Sequence, residues 1–89
     1  MSVEKKDRYM VRHAAGAYYL VFLGGESYRQ PLRMNDSAHF IFTRFTEGAD
    51  KDEIAEAMAA EYGVSKSDIM EDVEDFIALL EKNGLTSGE

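Results

Sequence analysis

The stretch AYYLVFL, Ala17 to Leu23, is apolar on both faces of an extended chain, with Tyr18, Leu20 and Phe22 on one side and Tyr19, Val21 and Leu23 on the other. Such a strand has no polar face to turn to water, so it belongs in the middle of a sheet and needs a neighbour on each side. The chain supplies two. Tyr9 to His13 (YMVRH) alternates apolar and polar, and Ala14, Ala15 and Gly16 after it can form a tight turn, which makes a hairpin. Beyond Gly24-Gly25, which reads as turn chemistry, Leu32-Arg33-Met34 resumes an in-out-in pattern. Pro31 stands before it, where proline is tolerated as a first residue or on an edge. Three antiparallel strands are expected, with the third a short edge.

At Asn35 the period changes. Asn35 can cap a helix whose apolar residues Ala38, Ile41, Phe42 and Phe45 recur at i, i+3, i+4 and i+7, with Gly48 just past its end. Asp50 and Glu53 form a capping box opening a second helix, whose face is Ile54, Ala57, Met58 and Tyr62 and whose stop is Gly63. Ser65 and Asp68 form another box, with Val64 placed to staple against Ile69. Ile69, Val73, Phe76, Ile77 and Leu80 then make the buried stripe of a third helix, and Gly84-Leu85 is a Schellman-type ending. The expected class is α+β, winged helix-turn-helix-like: a three-stranded antiparallel sheet followed by three helices. Residues 1–8 read as a flexible N-terminus, 9–85 as one domain and 86–89 as a frayed tail.

Composition narrows the function. With 89 residues there is room for one core and little for a large enclosed active site. No cysteine is present, which removes disulfides, thiolate metal sites and cysteine nucleophiles. The charged N-terminus MSVEKKDRYM lacks the apolar stretch of a signal peptide, and no run suits a membrane span, so a cytoplasmic location without membrane contact is expected. Seventeen acidic against ten basic residues give a net charge of -7, a field that repels phosphate backbones.

That charge decides against the DNA-binding role a winged helix would suggest. Between Ser67 and Asn83, the position of a recognition helix, stand Asp68, Glu71, Asp72, Glu74, Asp75 and Glu81 against Lys82 alone. No Arg, Lys, Asn or Gln for reading bases falls between Ser67 and Glu81. The run DIMEDVEDF reads as the solvated face of an amphipathic helix rather than a metal or acid-base cluster, because it lacks an oxygen-ligand loop. His13 and His39 have no ligand-like partner at i+3 or i+4 and read as surface or half-buried residues. Gly24-Gly25 lacks the Lys-Ser/Thr of a phosphate loop, and Ser27, Ser37, Ser65 and Ser67 lack the context of a nucleophile elbow. No motif argues for catalysis, and neither a metal nor another cofactor is expected.

The edge remains. A strand at Leu32 to Met34 guarded only by Pro31 and Arg33 leaves N–H and C=O groups unpaired, and a helix alongside would complete a groove for an extended peptide. A twofold mate pairing on that edge, a homodimer in place of a monomer, is the alternative occupant.

In order and spacing, VRHAAGAYYLVFL, LRMNDSAHFIFTRFTEG and DEIAEAMAAEYGVSKSDIMEDVEDFIALLEKNGL resemble the pyrroloquinoline quinone biosynthesis protein D family (PqqD-like), roughly from Tyr9 to Leu85. The most specific elements are Leu32 and Asn35 entering the first helix, Ile41-Phe42, Gly48 before DKDEIAEAM, Tyr62 with Val64, and DVEDFIALLEKNGL. This resemblance implies a non-catalytic peptide chaperone, a recognition element for ribosomally made and modified (RiPP) precursor peptides. Such a domain holds the leader of the precursor peptide as an added strand and presents it to a modifying enzyme, often a radical S-adenosylmethionine (radical SAM) protein. Carried over by position, the peptide backbone pairs with Leu32, Arg33 and Met34, while Asp72, Asp75, Phe76 and Leu79 of the third helix line the groove. The insert GGESYRQP, longer than a tight hairpin needs, would shape the way in or form a mobile loop.

Overall fold

A computed structural model of the protein describes residues 9–23 and 30–88 and, for Ser2–Lys5, the backbone. Its internal packing divides the chain into two compact units, Met1–His39 and Phe40–Glu89.

The first unit is a sheet. Strands β1 (Ser2–Lys5), β2 (Tyr9–Ala14), β3 (Ala17–Phe22) and β4 (Leu32–Met34) lie in the order β1-β2-β3-β4, every neighbouring pair antiparallel. The three expected strands are present, with β3 in the interior as its two apolar faces require. The terminal segment departs from expectation: Ser2–Lys5, read as part of a flexible N-terminus, pairs with β2 over Ser2↔His13 to Lys5↔Met10. Its short polar pattern carries no hydrophobic periodicity, so only the open side of β2 reveals the pairing. Gly24-Gly25 and most of GGESYRQP fall outside the described residues.

Between β2 and β3 the turn is two residues long, and Ala15 and Gly16 both have positive φ (53° and 76°), as a type I′ hairpin needs. The turn sets the register Ala14↔Ala17, Arg12↔Tyr19 and Tyr9↔Phe22. That register puts Tyr9, Val11, Leu20 and Met34 on one face, and all four are buried. On the opposite face Met10, Ala14, Tyr19 and Val21 are half-buried, while Arg12 and Arg33 are exposed.

Three helices follow, α1 (Asp36–Thr46), α2 (Lys51–Tyr62) and α3 (Lys66–Lys82), in the expected α+β, winged helix-turn-helix-like order. Asn35 caps α1, its Oδ1 accepting from the Ala38 N–H at 2.9 Å. The Asp50–Glu53 box is complete, with 2.8 Å and 3.1 Å bonds. At α3 the Ser65 Oγ accepts from the Asp68 N–H at 3.3 Å, the first half of the expected box. The third helix closes as a Schellman motif: the Leu85 N–H reaches Leu80 O (3.1 Å) and the Gly84 N–H reaches Glu81 O (3.0 Å), with Gly84 at φ 89°.

In the second unit the buried side chains are Ile41, Phe42 and Phe45 from α1, Ile54, Ala55 and Met58 from α2, Val73 and Leu80 from α3, and Leu85. On α2 the buried face is turned from the expected one, with Ala55 inside, Ala57 half-buried and Tyr62 44% exposed. Tyr62 instead sets its ring edge against Phe40 (centroids 5.9 Å, 65°), over which the Arg44 guanidinium lies at 3.7 Å. Val64, the expected staple residue, remains 42% exposed, its N–H bonded to Ala59 O at the end of α2. Ile69, Phe76 and Ile77 of the expected α3 stripe are half-buried. Exposed ion pairs join α2 to α3: Lys51–Glu74 at 2.9 Å, and Lys66 with Asp52 at 3.6 Å and Glu56 at 3.9 Å. The segment read as a frayed tail is tied back through the Gly88 N–H, which donates to Phe45 O at 3.0 Å. Among the described residues no helix is long and apolar enough to cross a membrane.

Candidate peptide-binding site

Strand β4 is three residues long and ends the sheet. Its register with β3 is Met34↔Tyr18, Arg33↔Tyr19 and Leu32↔Leu20. Among the described residues β4 pairs with β3 alone, so its far side presents main-chain N–H and C=O groups to an incoming strand. The side chains alternate as the pleat requires: Met34 is fully buried, Leu32 half-buried and Arg33 exposed.

A stack of three rings braces the sheet next to this edge. Tyr18, which faces Met34 across β3 and β4, lies between His13 (4.2 Å, 9°) and His39 (3.7 Å, 4°). His13 is its cross-strand partner on β2, and His39 stands in the first turn of α1 directly after the Asn35 cap. The two histidines are thus packing partners of one tyrosine. The first contact follows from the hairpin register, but sequence spacing carries no sign of the second, because His39 arrives through the chain reversal between β4 and α1.

On the other face, the register aligns Arg12, Tyr19 and Arg33 in one cross-strand row. Beside it is a shallow, open depression of ≈ 320 Å³ lined by Arg12, Ala14, Tyr19, Val21 and Pro31.

The other expected site residues lie in the second unit. Asp72 and Asp75 are exposed and Phe76 and Leu79 half-buried, and their spacing of i, i+3, i+4 and i+7 puts them on one face of α3. Phe76 thus keeps accessible surface although it also belongs to the apolar stripe. The helix is acidic along its exposed positions, Asp68, Glu71, Asp72, Glu74, Asp75 and Glu81 all being accessible. Glu74 is engaged by Lys51, whose pKa it raises by accepting its hydrogen bond and through its charge. Among the described residues no group of three or more His, Asp or Glu side chains is placed to hold a metal ion.

The sheet thus ends in a short strand whose far edge no described residue pairs, and three helices follow it in the chain, an α+β arrangement with the geometry that strand addition uses. Residues 19–85 match the family described as Coenzyme PQQ synthesis protein D (PqqD), and the chain belongs to that family. Among solved structures it is similar to one titled "TbiB1 in Complex with the TbiA(beta) Leader Peptide", with 24% identity over 100% of this chain and 98% of that one and a TM-score of 0.71. That likeness extends to the fold of the whole chain. No curated protein matches it.

Proposed function

We propose that this protein is a non-catalytic peptide chaperone that binds the leader segment of a ribosomally synthesised precursor peptide by strand addition and presents it to a modifying enzyme. The observation that carries this reading is the far edge of β4, whose main-chain groups no described residue pairs and which runs beside a half-buried Leu32. Membership of the PqqD family supports it, as does the likeness in fold to a protein solved with a leader peptide. Main-chain hydrogen bonds to Leu32, Arg33 and Met34 fix the orientation of the added strand, and alternate side chains read its sequence. Asp72, Asp75, Phe76 and Leu79 of α3 form the second set of contacts, two apolar surfaces with two carboxylates. The peptide orders on binding, which holds the affinity to a moderate level for the area buried. The modifying enzyme is a radical SAM protein acting in the cytoplasm, and the chain itself contributes no cofactor.

Titration of the isotope-labelled protein with leader peptides encoded beside its gene, followed by backbone amide shifts, tests this. Saturable shifts at Leu32 to Met34 and along Asp72 to Leu79 are expected. A folded, monomeric protein whose amides respond to none of these peptides rules the reading out. A dimer with β4 paired to its twofold mate rules it out equally, by filling the edge.

A further inference from the structure

We propose that Arg33 is a specificity-determining side chain, selecting a bound strand that carries a carboxylate, Asp or Glu, opposite it and an apolar residue on either side. This rests on the strand-addition reading and extends it to the chemistry of the ligand. Successive side chains of an added strand alternate between the faces of the sheet it joins. Positions on the face of Leu32 and Met34 continue a layer in which Val11, Leu20 and Met34 are buried and Leu32 is half-buried, so they call for apolar side chains. The position between them falls on the face of Arg12, Tyr19 and Arg33, with Arg33 as its immediate cross-strand neighbour.

Cross-strand neighbours have Cβ atoms about 5 Å apart, within reach of an Arg–carboxylate hydrogen bond. Arg33 is exposed, and among the described residues none forms an ion pair with it. Arg12 lies in the same row two strands in, at roughly 10 Å from the sheet spacing. Arg33 is a local positive charge in a chain with a net charge of -7, opposite in sign to the exposed positions of α3. The two surfaces therefore ask for opposite charges on different parts of the peptide: an acid between apolar residues along β4, and bases where the peptide meets α3.

The simpler role for Arg33 is to guard an edge against aggregation, which would hinder every added strand alike. A charge-swap cycle separates the two roles. The probes are synthetic leader segments from the precursor peptides encoded beside the gene, each residue in turn replaced by Asp, Asn and Lys, with Kd measured for the wild-type protein, Arg33→Gln and Arg33→Glu. Amide spectra check that each variant is folded. At one position, flanked by apolar residues, the wild type should bind the Asp form about threefold or more tighter than the Lys form, the scale of a cross-strand ion pair. Arg33→Gln should flatten this preference and Arg33→Glu invert it. Equal affinities of the Asp, Asn and Lys forms at every position, in peptides that do shift the β4 amides, overturn the role assigned to Arg33 and leave strand addition intact. Peptides that shift no β4 amide in the folded wild type overturn both.

Discussion

Asn35 stands at the junction on which the candidate site depends, being the residue after β4 and the cap of α1. Its Oδ1 accepts from the Ala38 N–H and also from the Ser37 hydroxyl at 3.0 Å, while its carbonyl accepts from the His39 N–H at 2.9 Å. Replacing it with Ala removes the side-chain cap, and we expect a loss of about 1 kcal/mol in denaturant unfolding. Gly16 is a second such position. Nothing lies within 4 Å of where its Cβ would be, so Gly16→Ala meets no clash and its effect isolates the left-handed backbone. A destabilisation of about 1 kcal/mol is expected from that conformation alone, and a stabilised variant would contradict the turn assignment. Both residues were legible in the sequence, because a cap and a tight turn are each specified by a few adjacent residues. The Tyr18 stack was not, since His13 and His39 reach it from opposite sides of the sequence.

Among the elements, α3 combines a buried stripe with accessible positions next to it. Val73 and Leu80 are fully buried, whereas Asp72, Asp75, Phe76 and Leu79 retain accessible surface. Leu80→Ala should cost about 2–5 kcal/mol of stability, the range for a cavity at a fully buried leucine. Asp75→Asn should leave stability nearly unchanged and weaken a basic leader peptide, so unfolding and binding assays on the pair separate core from contact surface. The Lys51–Glu74 pair joining α2 to α3 makes a further prediction. The Lys51 pKa is raised by its hydrogen bond to Glu74 and by that carboxylate's charge, so the pair's contribution is complete below the ordinary lysine range and is lost as pH rises through the raised value. In Glu74→Gln the Lys51 amine should titrate at lower pH than in the wild type, read by its side-chain nitrogen shift. Coincident titration curves would show that the pair does not persist in solution. The α3 stripe was legible from its period of 3.6, while on α2 that period pointed to Ala57 and Tyr62, where Ala55 is buried and Tyr62 exposed. Ala55 and Ala57 are equally small, so side-chain size in the sequence does not say which of them is buried.

For the whole molecule, charge separates the winged-helix shape from its nucleic-acid role. A net charge of -7 predicts no retardation of duplex DNA by the protein at moderate salt, and a salt-sensitive DNA shift would reverse that assignment. The same field should hasten encounter with leader peptides bearing Lys or Arg beside their apolar anchors. Stopped-flow association should therefore slow as sodium chloride is raised from tens of millimolar to several hundred, because screening shortens the range of the attraction. An association rate indifferent to salt would confine the acidic face of α3 to keeping the protein soluble.

Several determinants act within a few residues of one another and are complete in the sequence: the two-faced strand at Ala17–Phe22, the caps at Asn35, Asp50 and Ser65, and the Schellman ending at Gly84. The class of fold follows from these, because an interior strand needs neighbours and three capped amphipathic helices need a core. Other features exist only once distant segments meet. Ser2–Lys5 becomes a strand through the hydrogen-bonding side that β2 leaves open, and the C-terminal segment is held where the Gly88 N–H finds the carbonyl of Phe45 at the end of α1. The rows Arg12–Tyr19–Arg33 and His13–Tyr18–His39 likewise arise from strand register and chain reversal. Local sequence sets which backbone conformation each segment prefers, whereas partners far apart in the chain are chosen by the unpaired groups and apolar faces left after those preferences are met.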